Sequence, residues 1–224
     1  MELTEKTINV LKNYSTINPS IVVNPGNVLR TIAEAKNVMG NATVDNEFTQ
    51  TFGIYDLNEF LSVIDLVDGP RLKFEEKHVI IGDSSGRARV KYYFSDPELL
   101  TTITKDINMP EAEVNFNLDK NTLNKVLKAA NTLGHAEICI SVVDSTLNIS
   151  VVDPKNSTSN LYSIDIDGTY TSENFKFYVL KDNLKLIPAD YKVNMSSKLI
   201  SKFSNEDQNL EYFIARAKAA NKEK

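Results

Sequence analysis

The sequence predicts an α+β protein built from two similar halves. Two amphipathic helical segments lie 116 residues apart, since Val10-Leu11-Lys12 is matched by Val126-Leu127-Lys128. Each helical segment is followed by β-branched, apolar segments that are typical of strands. At 224 residues the chain is long enough for one large domain or two small ones. Identity between the halves is low, so the pattern fits a duplication and also fits two unrelated α+β halves.

Four segments have helical periodicity. The first spans Glu2–Tyr14, with Thr4 as its N-cap. The second long segment runs from about Lys120 to Leu133, with Asp119 as its N-cap and Gly134 as its stop. Two shorter helical candidates are Leu57–Val67 and Asn183–Ile187.

Strand candidates follow each long helix, and a linker separates the halves. The stretch from Phe94 to about Glu113 contains two prolines and no clean periodicity, which favours an interdomain linker. We therefore expect a first domain over residues 1–94, a linker over residues 95–113 and a second domain over residues 114–224. The strand candidates are Ile21–Val23, Val28–Ala33, Ile138–Val143 and Leu147–Val152.

Composition excludes several classes of protein. A single cysteine, Cys139, rules out an internal disulfide framework and a Cys-rich zinc site. The two histidines, His78 and His135, leave little for a multi-histidine metal centre. No apolar run approaches the roughly 20 residues of a membrane span, and the first residues, Met1–Asn13, are polar and lack the apolar stretch of a signal peptide. We therefore expect a cytosolic protein without a membrane partner.

No catalytic constellation emerges from the sequence. The stretch Gly82-Asp-Ser-Ser-Gly86 superficially resembles a serine-nucleophile loop, but nucleophilic catalysis needs a base that a third group holds in place. We predict a hairpin turn there, between strands at Lys77–Ile81 and Arg87–Phe94. The sequence predicts no enzyme activity, no catalytic residue, no metal site and no cofactor.

The two long helices carry lysine and asparagine on the faces opposite their apolar stripes. Such a face can contact phosphate oxygens without reading bases, and lysine is a flexible point charge suited to a sliding contact. An ordinary solvated face is the alternative for either helix alone, but its recurrence favours a function. The net charge of −5 argues against nucleic-acid binding over the whole protein surface, but it is compatible with a local basic face. The candidates are Lys6, Lys12, Lys120, Lys125 and Lys128.

A second basic feature is the segment Arg87–Phe94. Basic and apolar residues alternate in it with a period of two, which predicts a strand with one basic face. Aromatic and cationic side chains together could form a stacking surface for single-stranded nucleic acid. However, Tyr92 and Phe94 share the apolar face, which favours core packing for them. The basic residues are Arg87, Arg89 and Lys91.

Three segments carry a family resemblance: LxxxTxxVLKNYSTIN at Leu3–Asn18, FGIYDLNEFLSVIDLV at Phe52–Val67 and LIPADYKV at Leu186–Val193. They resemble the sliding clamps of T-even-type bacteriophages, which are processivity rings of DNA polymerase. The resemblance implies two similar clamp-type domains per chain, with helices on the inner face and antiparallel sheets on the outer face, and a ring of three subunits around duplex DNA. It also implies a clamp-loader ATPase, a polymerase that docks through a peptide tail, coupling to late transcription, and a location in the cytoplasm of the infected bacterial host.

Residue roles follow from the resemblance by position. The five lysines would line the hole, and strand Arg87–Phe94 would meet Asn160–Asp167 of the next subunit. The apolar residues of the linker would form the partner groove, although they could equally pin the linker to the core. The residues of the joint are Arg87, Arg89 and Lys91 facing Asp165 and Asp167, and those of the groove are Leu99, Leu100, Ile103 and Ile107.

Two other functions stay open on the residues alone. One is a monomeric single-stranded nucleic-acid-binding protein that uses the basic, aromatic strand. The other is an α+β ligand-binding domain or enzyme, which predicts a deep apolar pocket with shifted titratable groups.

Overall fold

The computed structural model describes residues 1–103 and 106–217. The chain divides into two compact units, the first formed by Met1–Asp106 with Gln208–Leu210, and the second by Ile107–Asp207 with the chain from Glu211 onward. The division falls inside the predicted linker. The two ends of that linker are tied to different units, because the Ser95 N–H donates to the Gly53 carbonyl and the Glu113 N–H donates to the Met195 carbonyl.

The first unit contains two helices and seven strands among its described residues. Its strands pair in antiparallel fashion as β1 with β4, β2 with β3, and β5-β6-β7 in that order. The elements are α1 (Glu5–Ile17), β1 (Ile21–Val23), β2 (Gly26–Ile32), β3 (Val38–Phe48), β4 (Phe52–Ile54), α2 (Leu57–Asp65), β5 (Arg71–Phe74), β6 (His78–Gly82) and β7 (Arg89–Tyr93).

Helix α1 packs its apolar stripe onto β2 and β3. Tyr14 is fully buried in this stripe, and its hydroxyl donates to the Leu29 carbonyl at 3.4 Å. A Cβ atom at Gly40 would lie 2.9 Å from the Tyr14 ring. Glycine at position 40 therefore lets the helix approach the sheet closely enough for that ring to be enclosed.

The second unit contains one α-helix among its described residues and two groups of neighbouring strands. One group has the order β11-β10-β9-β13, and the other has the order β12-β8-β14-β15-β16. The elements are β8 (Val114–Leu118), α3 (Lys120–Leu133), β9 (Glu137–Val143), β10 (Thr146–Val152), β11 (Tyr162–Asp165), β12 (Gly168–Tyr170), β13 (Lys176–Leu180), β14 (Tyr191–Ser196), β15 (Ile200–Asn205) and β16 (Leu210–Ala215).

The α+β prediction and the three longer helices are confirmed, with shifts at their ends. Helix α1 begins at Glu5, because its predicted cap, Thr4, accepts the Thr7 N–H. Helix α2 ends at Asp65, two residues earlier than predicted. The predicted helix Asn183–Ile187 is wrong: only a 3-10 turn forms there, over Lys181–Asn183. Five residues before a proline are too few for an α-helix to persist.

Candidate nucleic-acid interface

Helix α3 has both of the ends that the sequence predicts. The Asp119 carboxylate accepts the Thr122 hydroxyl at 2.7 Å and the Thr122 N–H at 2.9 Å, and these hydrogen bonds lower the pKa of Asp119. Gly134 ends the helix in the left-handed conformation at φ 69°, where a side chain would be strained. The helix that displays the predicted lysines is therefore capped at both ends by local chemistry.

The solvent face of α3 is a surface of unpaired positive charge. Leu123, Val126 and Ala130 are buried, which orients the opposite side of the helix outward. In residues 1–103 and 106–217, no carboxylate oxygen lies within 4.0 Å of the amino groups on this face. The exposed lysines are the three predicted ones, Lys120, Lys125 and Lys128.

The lysines of α1 differ because each one faces a carboxylate. The Lys6 Nζ lies 4.0 Å from an oxygen of Asp45, and the Lys12 Nζ lies 3.6 Å from an oxygen of Asp65. Glu5 is also exposed on this helix. Exposed ion pairs of this kind add little stability, but the paired carboxylates cancel much of the positive potential that phosphates would meet. The positive charge is therefore concentrated on the helix of the second unit.

Sequence reasoning missed one cation beside α3. The Lys181 Nζ donates to the Asn131 side-chain oxygen at 2.8 Å, which places it against the last turn of the helix. A cation there interacts favourably with the partial negative charge of a helix C-terminus. In the sequence Lys181 is a lysine that follows a strand, and nothing there indicates that it lies beside α3. Its place beside the helix results from the packing of the second unit. Lys181 therefore extends the basic surface of α3 to its last turn, where the helix itself carries Asn131 and no basic residue.

The predicted joint strands both lie at sheet edges. Strand β7 ends the group β5-β6-β7 and β11 ends the group β11-β10-β9-β13, and no strand in the described part of the chain pairs with their outer edges. Arg89 and Lys91 are exposed, and Val90 between them is half-buried, as the period of two predicts. Asp165 is exposed on β11, where its carboxylate accepts the Asn148 amide at 2.8 Å.

Two joint residues lie outside the strands that were predicted to hold them. Arg87 belongs to the hairpin turn, because its N–H donates to the Asp83 carboxylate at 3.0 Å. Asp167 follows β11, where the chain turns toward Gly168 and the start of β12. The predicted hairpin turn at residues 82–86 is confirmed, since the Asp83 N–H also bonds the Ala88 carbonyl at 3.0 Å.

Two of the three aromatic side chains at Tyr92–Phe94 turn into the core, whereas Tyr93 is 64% exposed and has the Lys91 Nζ 4.8 Å from its ring centroid. Tyr92 turns inward against Phe60, with 5.2 Å between ring centroids, and its hydroxyl donates to the Asp56 carbonyl at 3.2 Å. Burial and the charge of nearby Glu59 raise the pKa of Tyr92 to about 12. Phe94 stacks on Phe52 at 4.9 Å. Core packing therefore occupies Tyr92 and Phe94, and of these three residues only Tyr93 leaves a ring for single-stranded nucleic acid to stack on.

The apolar residues of the predicted partner groove differ in exposure. Leu99 is 82% exposed at the end of a 3-10 turn over Pro97–Leu99. Leu100 packs against the backbone of β4, because a Cβ atom at Gly53 would meet its Cδ1 at 2.8 Å. Ile103 is half-buried in the first unit, and Ile107 in the second is 37% exposed. Leu100 thus matches the alternative in which the linker is pinned to the core, and Leu99 remains available to a partner.

The spaces in the described residues differ from the deep apolar pocket that a ligand-binding domain predicts, since a space of about 550 Å³ beside Asp119 and Asp190 is lined mainly by polar residues. Two apolar spaces, of about 20 Å³ under α3 and about 10 Å³ under α1, are core interstices too small for a substrate. Residues 1–103 and 106–217 hold no group of three His, Cys, Asp or Glu side chains placed to bind a metal ion. None of the helices in those ranges combines the length and apolar character needed to cross a membrane.

Comparison with known proteins agrees with this geometry. A family model described as "DNA polymerase processivity factor" matches residues 4–96, and one described as "gp45 sliding clamp, C terminal" matches residues 115–218. The sliding clamp of Vibrio phage KVP40 is 31% identical over 96% of this chain and 98% of its own length. The sliding clamps of Escherichia phage RB69 and Enterobacteria phage T4 are each 28% identical over 96% of both chains.

Solved structures show the same fold at much lower identity. The A. fulgidus PCNA bound to the C-terminal region of FEN-1 superposes with a TM-score of 0.72 at 12% identity, covering 98% of both chains. The PCNA of Entamoeba histolytica superposes with a TM-score of 0.67 at 12% identity, covering 94% of both. The fold is thus that of the sliding clamps, a class of two-domain α+β proteins. Within that class, the chain belongs to the bacteriophage sliding-clamp family, whose members are processivity factors of DNA replication.

Proposed function

We propose that three copies of this chain close a ring around duplex DNA and tether the replicative polymerase for processive synthesis. The observation that carries the proposal is the solvent face of α3, where Lys120, Lys125 and Lys128 have no carboxylate partner among the described residues of an otherwise acidic chain. A negative protein with a local basic face repels DNA from most of its surface and accepts phosphates at that face. Lysine contacts to phosphate read no bases, which suits a sequence-independent clamp.

Encirclement explains why so few cations suffice. A groove binder must hold DNA by contact energy, which counterion release makes strongly salt-dependent. A closed ring needs only contacts weak enough to slide, because it leaves the DNA through a free end or by opening. In the proposed ring α1 and α3 face the duplex, and α3 with Lys181 supplies most of the attraction because Lys6 and Lys12 are paired.

The ring joint is proposed at two of the edge strands, β7 and β11. Strand β7 of one subunit pairs with the segment Asn160–Asp167 of the next, so that Arg89 and Lys91, together with Arg87 of the preceding turn, meet Asp165 and Asp167. Cross-strand pairs of opposite charge contribute roughly 0.2–1 kcal/mol each. A joint of this strength can be opened, as loading onto DNA requires.

The remaining partners follow from the family and are part of the same proposal. A clamp-loader ATPase opens and closes the ring, and the polymerase docks through a peptide tail on the apolar linker residues. Late-transcription factors use the same clamp, and the ring works in the cytoplasm of the infected bacterium. The chain itself acts as a scaffold, without catalytic residues, metal or cofactor.

Retention on DNA of different topology tests encirclement. With its cognate loader and ATP, the clamp should stay on nicked circular DNA and should leave when the circle is cut. Light scattering should give a mass of about 75 kDa, three times the 25.1 kDa chain. Equal retention on circular and linear DNA, or a particle of chain mass under all conditions, would contradict the proposal.

A further inference from the structure

The solvent face of strands β5, β6 and β7 is strongly basic. Between Arg71 and Tyr93 the chain has six lysine or arginine residues and three acidic ones, although the whole chain has a net charge of −5. The opposite face of these strands packs into the core of the first unit, where Leu72, Val79 and Ile81 are buried. The alternating residues of β5 and β7 therefore present their cations to solvent on one side of the sheet.

The register of the three strands places four exposed cations in two rows on this face. One row is Arg71, Gly82 and Arg89, and the next is Lys73, Ile80 and Lys91. Neighbouring strands lie about 4.8 Å apart and successive rows on one face lie about 7 Å apart, so the cations mark the corners of a rectangle of about 10 by 7 Å. The spacing along the strands is close to that of successive phosphates in an extended single strand of nucleic acid.

Most of this charge has no partner within the chain. Among the described residues, no carboxylate oxygen lies within 4.0 Å of the cationic groups of Arg71, Arg89 or Lys91. Lys73 differs, because its Nζ lies 2.7 Å from an oxygen of Glu75. Three of the four cations are therefore available to an anionic ligand.

Gly82 leaves open space between the two arginines. Among the described residues other than its chain neighbours, only the Ala88 carbonyl oxygen would lie within 4 Å of a Cβ atom at this position, at 3.7 Å. The backbone of Gly82 is not in the left-handed conformation that favours glycine. Neither packing nor backbone geometry thus requires glycine here. A glycine in a strand often marks a place where a ligand approaches closely.

An exposed aromatic ring lies beside the cations. Tyr93 is 64% exposed, and the Lys91 Nζ lies 4.8 Å from its ring centroid. The ring of His78 lies 5.7 Å from that of Tyr93, at an angle of 45°. Proteins that bind single strands without sequence preference stack bases on aromatic side chains and hold the backbone with nearby cations. This face carries both kinds of group.

We propose that this face binds single-stranded nucleic acid, with phosphates above Gly82 between Arg71 and Arg89 and a base stacked on Tyr93. A duplex would leave the exposed ring unused, because its bases are already stacked. An acidic peptide would meet the same cations, but the ring and the spacing of the rows favour a chain of phosphates and bases. The site is independent of the ring proposed above, because it lies within the first unit and needs no encirclement.

The proposed ring joint leaves this site in place. Strand pairing there uses the backbone edge of β7, so Asp165 and Asp167 of the next subunit would lie beside β7 alone. Gly82 lies one strand away from β7 and Arg71 lies two strands away, at about 5 and 10 Å. Variants at these two positions therefore test single-strand binding without changing the joint.

Fluorescence anisotropy with a labelled oligodeoxythymidine of about 12 nucleotides tests the assignment on the clamp alone, over a salt series. Arg71→Gln should lower the slope of log K against log salt by about 0.7, the value for one cation on a single strand. The matched control is Lys36→Gln, which removes an exposed cation elsewhere in the same unit and should leave the slope unchanged. An oligomer of the same length that lacks its bases should bind wild type at least about fivefold more weakly.

Two further substitutions separate shape and stacking from charge. Gly82→Val keeps every charge but fills the space between the arginines, so it should lower the affinity. Tyr93→Ala should lower the affinity about 5- to 150-fold, the range for loss of one stacked base, and Tyr93→Phe should recover it because the ring is kept. Thermal melting and light scattering check that each variant is folded and has the mass of wild type. If one variant is not folded, Arg71→Gln decides.

Three outcomes would overturn the assignment: equal binding of the oligomers with and without bases, an unchanged slope for Arg71→Gln, or a polyglutamate peptide that displaces the single strand as well as unlabelled oligomer does. Loss of binding in the variant of Lys120, Lys125 and Lys128, with Arg71→Gln unaffected, would assign the single strand to α3 instead. Retention on circular DNA is measured separately. A failure confined to the single-strand assay would refute only this site, and loss of retention would refute only encirclement.

Discussion

Replacing the lysines of α3 should weaken DNA contact far more than replacing those of α1. The test variant is Lys120→Gln with Lys125→Gln and Lys128→Gln, and it is compared with Lys6→Gln combined with Lys12→Gln. The α3 lysines are free to replace counterions on phosphates, whereas each α1 lysine must first leave a carboxylate at 3.6 to 4.0 Å. Comparing the two variants therefore shows whether DNA contact depends on how many lysines a helix carries or on how many of them lack a carboxylate partner.

The magnitude follows from counterion release. Each lysine–phosphate contact contributes about 0.9 to the slope of log K against log salt. If α3 of one subunit touches the duplex at a time, the triple variant lowers that slope by about 2.7. Between about 50 and about 200 mM salt, wild-type affinity should then fall about 40-fold more than that of the variant. We expect the α1 variant to change the slope by less than about 1.

The assay is equilibrium binding of the clamp to a short linear duplex over a salt series. The matched control replaces three exposed lysines outside the helices, Lys36, Lys155 and Lys198, with glutamine, which changes the net charge by the same amount. Equal slopes for the α3 variant and this control, or a larger effect from α1, would show that α3 does not carry the DNA contact.

Two further predictions concern assembly and folding. Asp165→Lys with Asp167→Lys should weaken each joint by about 1–2 kcal/mol through charge reversal and shift trimer toward monomer in light scattering, whereas Glu173→Lys with Glu206→Lys should not. An unchanged mass at low micromolar concentration and low salt would refute the joint. Asp119→Ala should lower the free energy of unfolding by about 1 kcal/mol near pH 7, and Asp119→Asn should lower it less. Because hydrogen bonds lower the pKa of Asp119, the stability they confer is lost as pH falls through its folded-state pKa, so urea melts in acid should show a smaller difference between Asp119 and alanine.

The helix ends could be predicted because their determinants are local. Asp119 caps a backbone N–H three residues away, and Gly134 supplies a left-handed residue at the helix stop, so both are visible in a short window of sequence. Strand β3, the longest of the first unit, was missed for the opposite reason. Its buried positions include Ala42 and Asn46, and Asn46 is inside because it bonds the backbone of Thr4 and Glu2. Because a polar residue occupies a buried position, the alternation of apolar and polar residues that marks a strand is interrupted in the sequence of β3.

The lysines of the candidate site could be predicted from the sequence, but which of them are paired with carboxylates could not. The periodicity of α3 is enough to place Lys125 and Lys128 on a solvent face. The pairing of Lys6 with Asp45 joins α1 to β3 and cannot be inferred from either segment alone. The position of Lys181 likewise depends on contacts between elements distant in sequence.

The opposite charges of the two edge strands proposed for the joint, β7 and β11, bear on how copies of this chain would find one another. Two β7 edges repel each other through Arg89 and Lys91, and two β11 edges repel through Asp165, so only unlike edges attract. A two-fold dimer joins identical edges, whereas head-to-tail contact joins unlike ones and closes by rotation. In the proposed ring this charge pattern would favour head-to-tail contact over two-fold pairing at these edges, and it would also discourage a newly made subunit from pairing with a copy in the wrong orientation.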